Sequence, residues 1–191
     1  PDLQEAITFH HAILAEGGKA LVGYEAAKTL ANVVLLSEIP TTYDKRSERQ
    51  VNAGNLLLRG VPGVGKTFLG VILAAISDAR FARIQGRADL QPTEVVGFQM
   101  INPATGQLVT EFGPMASSEI IVLDEMNRIP LNSQSAFLEG LQDRTITVGK
   151  DTYDLPAFSF AIATMNPVEL GQGTFPLSEA ATDRFAAMVQ I

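Results

Sequence analysis

The sequence contains no cysteine, which excludes disulfides and thiolate metal sites and suits a reducing compartment. It has no apolar run approaching about 18 residues and no recognisable signal peptide, so the expectation is a cytoplasmic protein without a membrane span. Histidine is confined to His10 and His11. Neighbouring helix positions face different sides, which argues against a two-histidine metal site. Positive charge is in deficit: 14 Lys and Arg against 21 Asp and Glu give a formal net charge of −7, which disfavours non-specific nucleic-acid binding. Disorder-prone composition is also missing. With 46% hydrophobic residues among 191, the chain can build one substantial core. It starts at Pro1 without Met and stops at Ile191, which reads as a fragment or a processed chain.

What the sequence does have is a phosphate-binding signature. Leu56-Leu57-Leu58 fits a buried strand, Gly60-Val61-Pro62-Gly63-Val64-Gly65-Lys66-Thr67 matches G-x-x-x-x-G-K-[ST], and Phe68 to Ile76 continues as a helix. The glycines let successive N–H groups turn inward at phosphate oxygens, at the positive end of that helix. Lys66 then reaches the β- and γ-phosphates, and the Thr67 hydroxyl can bind Mg²⁺. A second signature lies downstream. Ile120-Ile121-Val122-Leu123 reads as a strand covered on both faces and ends in Asp124-Glu125. In a chain that already has a phosphate loop, Asp124 is the expected metal-holding acid and Glu125 the base that activates water.

The remaining segments give an alternating strand–helix order, which predicts a parallel α/β sheet. Asp2 to Gly17 carries a helical stripe ended by Gly17-Gly18, and Tyr24 to Leu36 is a second helix. Thr41 to Asn52 is a charged, solvated connector. Phe81 to Ile84 is a short strand, and Pro92 to Val96 a helical turn broken at Gly97. Two hairpins are expected, Phe98 to Phe112 and Thr145 to Leu155, on either side of a Pro130–Gln142 helix. Phe158 to Thr164 is another buried strand, ending at Met165-Asn166-Pro167, where ligands sit in open α/β sheets. Glu179 to Phe185 reads as a short helix bearing Arg184, followed by an apolar segment from Ala186 to Ile191.

Gly-Val-Pro-Gly-Val-Gly-Lys-Thr, Val-Leu-Asp-Glu-Met-Asn-Arg-Ile-Pro, Gln-Ser-Ala-Phe-Leu-Glu, Ala-Thr-Met-Asn-Pro and Leu-Ser-Glu-Ala-Ala-Thr-Asp-Arg-Phe, in this order, resemble the MoxR family of AAA+ ATPases. The resemblance runs from about Leu21 to Ile191. It implies a large AAA+ subdomain with strand order 5-1-4-3-2, residues 1–20 being an N-terminal helical extension, and a C-terminal helical lid with its sensor-2 arginine lying outside this sequence. It also implies that the two hairpins are the helix-2 insert and the pre-sensor-1 hairpin. By the same resemblance Asn166 is the sensor-1 residue, Arg184 an arginine finger acting on a neighbouring subunit, and Val22-Gly23 the segment that contacts adenine; Phe68 falls at the edge of the nucleotide-binding run. ATP and Mg²⁺ are the implied ligands. A hexameric ring is implied too, with client or adaptor proteins, some carrying von Willebrand factor A domains, as partners to be remodelled or activated. The charged connector is longer than that pattern. Two other readings are a nucleic-acid motor and a nucleotide-gated switch with little turnover. Against the motor, the first hairpin tip, Asn102 to Gly106, is uncharged and the second carries only Lys150 beside Asp151. Against the switch stands Glu125, since a switch has little need of a water-activating carboxylate.

Overall fold

The computed structural model describes residues 3–39, 51–52, 54–156, 158–166 and 174–191. Two helices open the chain, α1 (Leu3–Ala20) and α2 (Glu25–Leu36). Gly17-Gly18 does not end α1 as expected. Gly17 is buried where a Cβ would lie 3.6 Å from Ile72 Cγ2, and packing of this kind outweighs the roughly 1 kcal/mol that an interior glycine costs a helix. A two-stranded ribbon follows, β1 (Glu38–Ile39) paired antiparallel with β2 (Val51–Asn52). The end of the expected connector is therefore a strand, and its charged part, 41–50, lies outside the described residues.

The main body alternates as the sequence predicts. Its first half is β3 (Asn55–Arg59), α3 (Lys66–Ser77), β4 (Phe81–Gln85), α4 (Pro92–Val96), β5 (Gly97–Ile101), β6 (Leu108–Phe112) and α5 (Pro114–Ser117). Its second half is β7 (Ile120–Asp124), a 3-10 turn (Met126–Arg128), α6 (Leu131–Asp143), β8 (Thr145–Val148), β9 (Asp151–Asp154), β10 (Phe160–Met165), α7 (Glu179–Thr182) and β11 (Ala187–Gln190). The five-stranded sheet has the order β11-β3-β10-β7-β4 with every pair parallel. Counted along the main body, that is the expected 5-1-4-3-2. The last helix is shorter than expected and stops at Thr182, so Arg184 sits in the turn after it.

Side chains alternate across the sheet as the two-residue period requires. Leu57, Ile121, Leu123, Ala161 and Ala163 pack with Phe137, Leu138 and Leu141 of α6. Leu56, Leu58, Ile120, Val122 and Ile162 pack with Leu69 and Leu73 of α3, Ala31 and Leu35 of α2, and Ile13 of α1. Two apolar layers therefore clamp β3, β7 and β10, whose continuous hydrophobic runs are the mark of strands covered on both faces. The two hairpins, β5–β6 and β8–β9, form separate antiparallel pairs. Gln99 Nε2 donates to Asp151 Oδ2 at 2.9 Å, and Phe112 meets Tyr153 edge-on at 4.8 Å, lacing one hairpin to the other. Among the described residues no helix is long and apolar enough to cross a membrane.

Candidate active site

Where β3 ends, Gly60 donates its N–H to the Met165 carbonyl at 3.1 Å, which pins the start of the phosphate loop to the end of β10. Gly63 and Gly65 both have φ near +80° (83° and 82°), a left-handed turn that costs a glycine nothing. Gly65 thereby caps α3, and Lys66 is its first residue. One turn on, α3 presses so closely on β7 that a Cβ on Gly70 would lie 2.1 Å from Val122 Cγ2. Val122 and Asp124 share a face of β7, and Thr67 lies one helical turn before Gly70. The close approach at one end brings the functional pair together at the other: Thr67 Oγ1 donates to Asp124 Oδ2 at 2.9 Å.

The acids are held from β10 and β4. Thr164, fully buried in β10, donates its hydroxyl to Asp124 Oδ1 at 2.6 Å and accepts the Glu125 N–H at 3.0 Å. On the other side Arg83 Nη2 donates to Asp124 Oδ2 at 2.6 Å. Burial alone would raise the Asp124 carboxyl, but the bonds from Thr164, Arg83 and Thr67 hold it below its ordinary range. Glu125 has φ 54° and ψ 51°, a left-handed conformation uncommon for a residue with a side chain. Its backbone lies against Gly86, whose Cβ, if present, would be 2.2 Å from the Glu125 carbonyl oxygen. The Glu125 carboxylate accepts Asn166 Nδ2 at 2.9 Å on one oxygen. On the other it meets Arg128 Nε at 3.1 Å and Gln85 Nε2 at 3.3 Å.

Lys66 closes the ring of contacts. Its ammonium donates to the Gly60 and Val61 carbonyls at 2.8 and 2.7 Å and to Asn166 Oδ1 at 3.1 Å. Burial pulls its pKa down, against the opposing pull of Asp124 and Glu125. The resulting cleft is lined by Pro62, Gly63, Gly65, Lys66, Thr67, Asp124, Glu125 and Asn166. The structure thus brings the loop, both acids and Asn166 together.

Other expected site residues lie apart from this lining. Val22 is 86% exposed and Gly23 has φ 83°. Their neighbour Leu21 approaches the loop, with Cδ1 3.4 Å from where a Gly65 Cβ would stand. Val61 and Phe68 are exposed, and Val64 is half-buried. Arg184 is exposed, and its Nε donates to Gln142 Oε1 at 2.8 Å. Four positions escaped the sequence reading: Arg83, Gln85, Thr164 and Arg128. Polar residues inside the short strands β4 and β10 were the available signal for the first three.

The donor set suits magnesium. One hydroxyl and one carboxylate oxygen in contact are hard ligands, and Mg²⁺ is usually held by one or two protein carboxylates plus substrate phosphates and water. Among the described residues no group of three or more His, Cys, Asp or Glu forms an all-protein metal cage.

Comparison with known proteins agrees with this geometry. Residues 55–187 match the model of the ATPase family associated with various cellular activities (AAA). Over 141 residues the chain is 37% identical to Chaperone MoxR1 of Mycobacterium tuberculosis, covering 74% of this chain and 37% of that one. It is 42% identical over 132 residues to the uncharacterised protein YeaC of Bacillus subtilis, covering 69% of this chain and 41% of the relative. A crystal structure of a candidate ATPase from Cytophaga hutchinsonii superposes with a TM-score of 0.74 at 34% identity, over 98% of this chain and 53% of that one. The chain spans about two fifths of the length of the curated relatives named here.

Proposed function

The chain belongs to the AAA family of ATPases, with MoxR-type chaperones among its relatives, and from that premise we propose that it binds and hydrolyses ATP with Mg²⁺ to remodel or activate partner proteins. The observation that carries this reading is the line of contacts across the cleft, Thr67 to Asp124 on one side and Lys66 to Asn166 to Glu125 on the other. Thr67 and Asp124 would hold the metal, which neutralises phosphate charge when bound. Lys66 keeps its ammonium at the loop through three acceptors, each a group that a phosphate oxygen can replace. Glu125, steadied by Asn166 on one oxygen, is the base that takes a proton from the attacking water. Asn166 touches both Lys66 and Glu125, which suits it to sense the terminal phosphate and orient that water.

Arg184 takes no part in this cleft, and on this reading it acts on the nucleotide of a neighbouring subunit in a ring, a hexamer by family resemblance. Residues 1–191 are the large AAA+ subdomain, with 1–20 a helical extension, and Leu21 beside Gly65 supports Val22-Gly23 as the adenine contact. Clients of this cytoplasmic remodeller include proteins with von Willebrand factor A domains.

The test compares phosphate release and nucleotide binding for the wild type and Glu125→Gln. The variant is expected to bind ATP as tightly as the wild type and to lose release by about 10²–10⁴-fold, the usual contribution of a positioned base. Release unchanged in the variant, or absent in both with nucleotide bound, would discard hydrolysis by Glu125.

A further inference from the structure

The Asp124 carboxylate is already held by three donors of the protein, from Thr164, Thr67 and Arg83. Oδ1 accepts the hydroxyl of Thr164, which is completely buried, so that oxygen is committed to the sheet. Oδ2 is the one that meets Thr67, and it also accepts Arg83 Nη2 at 2.6 Å. Arg83 comes from β4, the outer strand of the sheet on this side. In the parallel register it stands beside Val122, and Gln85 stands beside Asp124. The arginine side chain therefore reaches forward along the strands by one step to lie over the acid. It is not locked there, since half of its side-chain surface is exposed, against 11% for Asp124. Its second partner, the Gln85 side-chain oxygen at 2.6 Å, comes from the same strand.

We propose that Arg83 is a resident cation that competes with magnesium for the Thr67-facing oxygen of Asp124, and so sets how much Mg²⁺ the protein needs to bind its nucleotide. This rests on the nucleotide-binding reading above. The chemistry follows from counting lone pairs. A carboxylate oxygen offers two acceptor sites, and on Oδ2 both are taken, by Thr67 and by Arg83. The Thr67 hydroxyl can rotate its proton away and present a lone pair of its own. A guanidinium has no such option, because all its polar atoms are donors that stay charged. An ion that takes the place the Thr67 proton leaves on Oδ2 then shares that oxygen with the Arg83 guanidinium. The two like charges repel, and the half-exposed arginine can swing into water without burying a charge. Arg83 also keeps Asp124 paired until then, which avoids leaving a largely buried carboxylate uncompensated.

The test is a magnesium titration of the binding of a fluorescent, non-hydrolysable ATP analogue, read by anisotropy, for the wild type, Arg83→Met, Arg83→Lys and Asp124→Asn. Arg83→Met is expected to lower the Mg²⁺ concentration at half-saturation by about fivefold or more, the lower range of coupling between competing ligands. Arg83→Lys, which keeps the charge, should stay nearer the wild type. An unchanged or raised midpoint in Arg83→Met, or a lysine variant as responsive as the methionine one, overturns the competition and leaves Arg83 as scaffold. Asp124→Asn distinguishes failure of the competition from failure of the metal site. If it abolishes the metal dependence, the site reading stands whatever Arg83 does; if metal dependence survives it, or none exists in any protein, the site reading falls and the competition with it.

Discussion

Replacing Gly70 by alanine tests the packing on which the site depends. In an ordinary helix interior this change stabilises, by about 1 kcal/mol, because glycine is the poorer helix former. Here the added methyl would stand 2.1 Å from Val122 Cγ2 and 3.5 Å from Ile162 Cδ1. Val122 is fully buried in β7 and, being β-branched, has little rotamer freedom with which to retreat. Overpacking of this kind costs about 1–3 kcal/mol, so the net effect is a loss of up to about 2 kcal/mol, or a fall in melting temperature of up to about 8 °C for a chain of this size. The second substitution decides the cause. In a Val122→Ala background the obstruction is gone, and Gly70→Ala should become neutral or stabilising, a coupling of at least about 1 kcal/mol between residues in contact. Thermal unfolding of the four proteins measures it. Binding of a nucleotide analogue should follow the same pattern, falling in Gly70→Ala as α3 lifts Thr67 from Asp124 and recovering in the double variant. A higher melting temperature for Gly70→Ala, or the same effect in both backgrounds, refutes the idea that this glycine sets the helix–sheet spacing.

Three further expectations follow from the same geometry. Asp124 is held below its ordinary value of 3.8, and a depressed carboxyl stabilises the fold above its unfolded value and loses that stabilisation as pH falls through the folded one. The advantage of the wild type over Asp124→Asn in denaturant midpoint should therefore be constant above about pH 5 and shrink on acidification below it. Thr164→Val keeps the shape of a fully buried side chain but leaves Asp124 Oδ1 and the Glu125 N–H without their shared partner; it should cost about 1–3 kcal/mol in chemical denaturation, and a neutral result would deny the hydroxyl its bridging role. If Arg184 works on a neighbouring subunit, hydrolysis per subunit should rise with protein concentration, and Arg184→Ala should remove that rise with a loss of about 10³–10⁵ in rate; a flat wild-type profile counts against catalysis between subunits.

Much of this site is written locally. The phosphate loop is legible because strand, glycine turn and helix follow one another, and the acids because a long apolar run ends in them. Asn166 is legible only as a polar residue at a strand terminus, and the resemblance to a known family gave it a role. Arg83, Gln85 and Thr164 were not legible, for a reason that lies in parallel sheets. Their partners are about 40 residues away in sequence, on strands brought alongside only by crossovers, and no short pattern encodes that register. Gly70 was hidden differently: within a helix it reads as a weak residue, and only its contact with Val122 gives it meaning. Local signals also failed at α1, where Gly17-Gly18 looked like a stop and packing carried the helix on to Ala20.

The same contrast explains why Glu125 can hold an unfavourable backbone conformation. A left-handed residue with a side chain is strained, and such strain persists only where the surroundings over-determine it. Four constraints act on these two adjacent acids from different parts of the fold. The Gly86 N–H donates to the Asp124 carbonyl at 2.7 Å, and Gly86 has no Cβ to obstruct the Glu125 carbonyl. Thr164 takes the Glu125 N–H, and Asn166 with Arg128 fixes its carboxylate. Relaxing Glu125 toward an ordinary conformation would break several of these at once, so the cooperative sheet holds the turn in place. What results is a carboxylate that lines the cleft and is linked to Lys66 through the Asn166 side chain. A strand-end acid without those supports would be an ordinary surface residue, and the position of Gly86, Thr164 and Asn166 around it is what makes this one a candidate base.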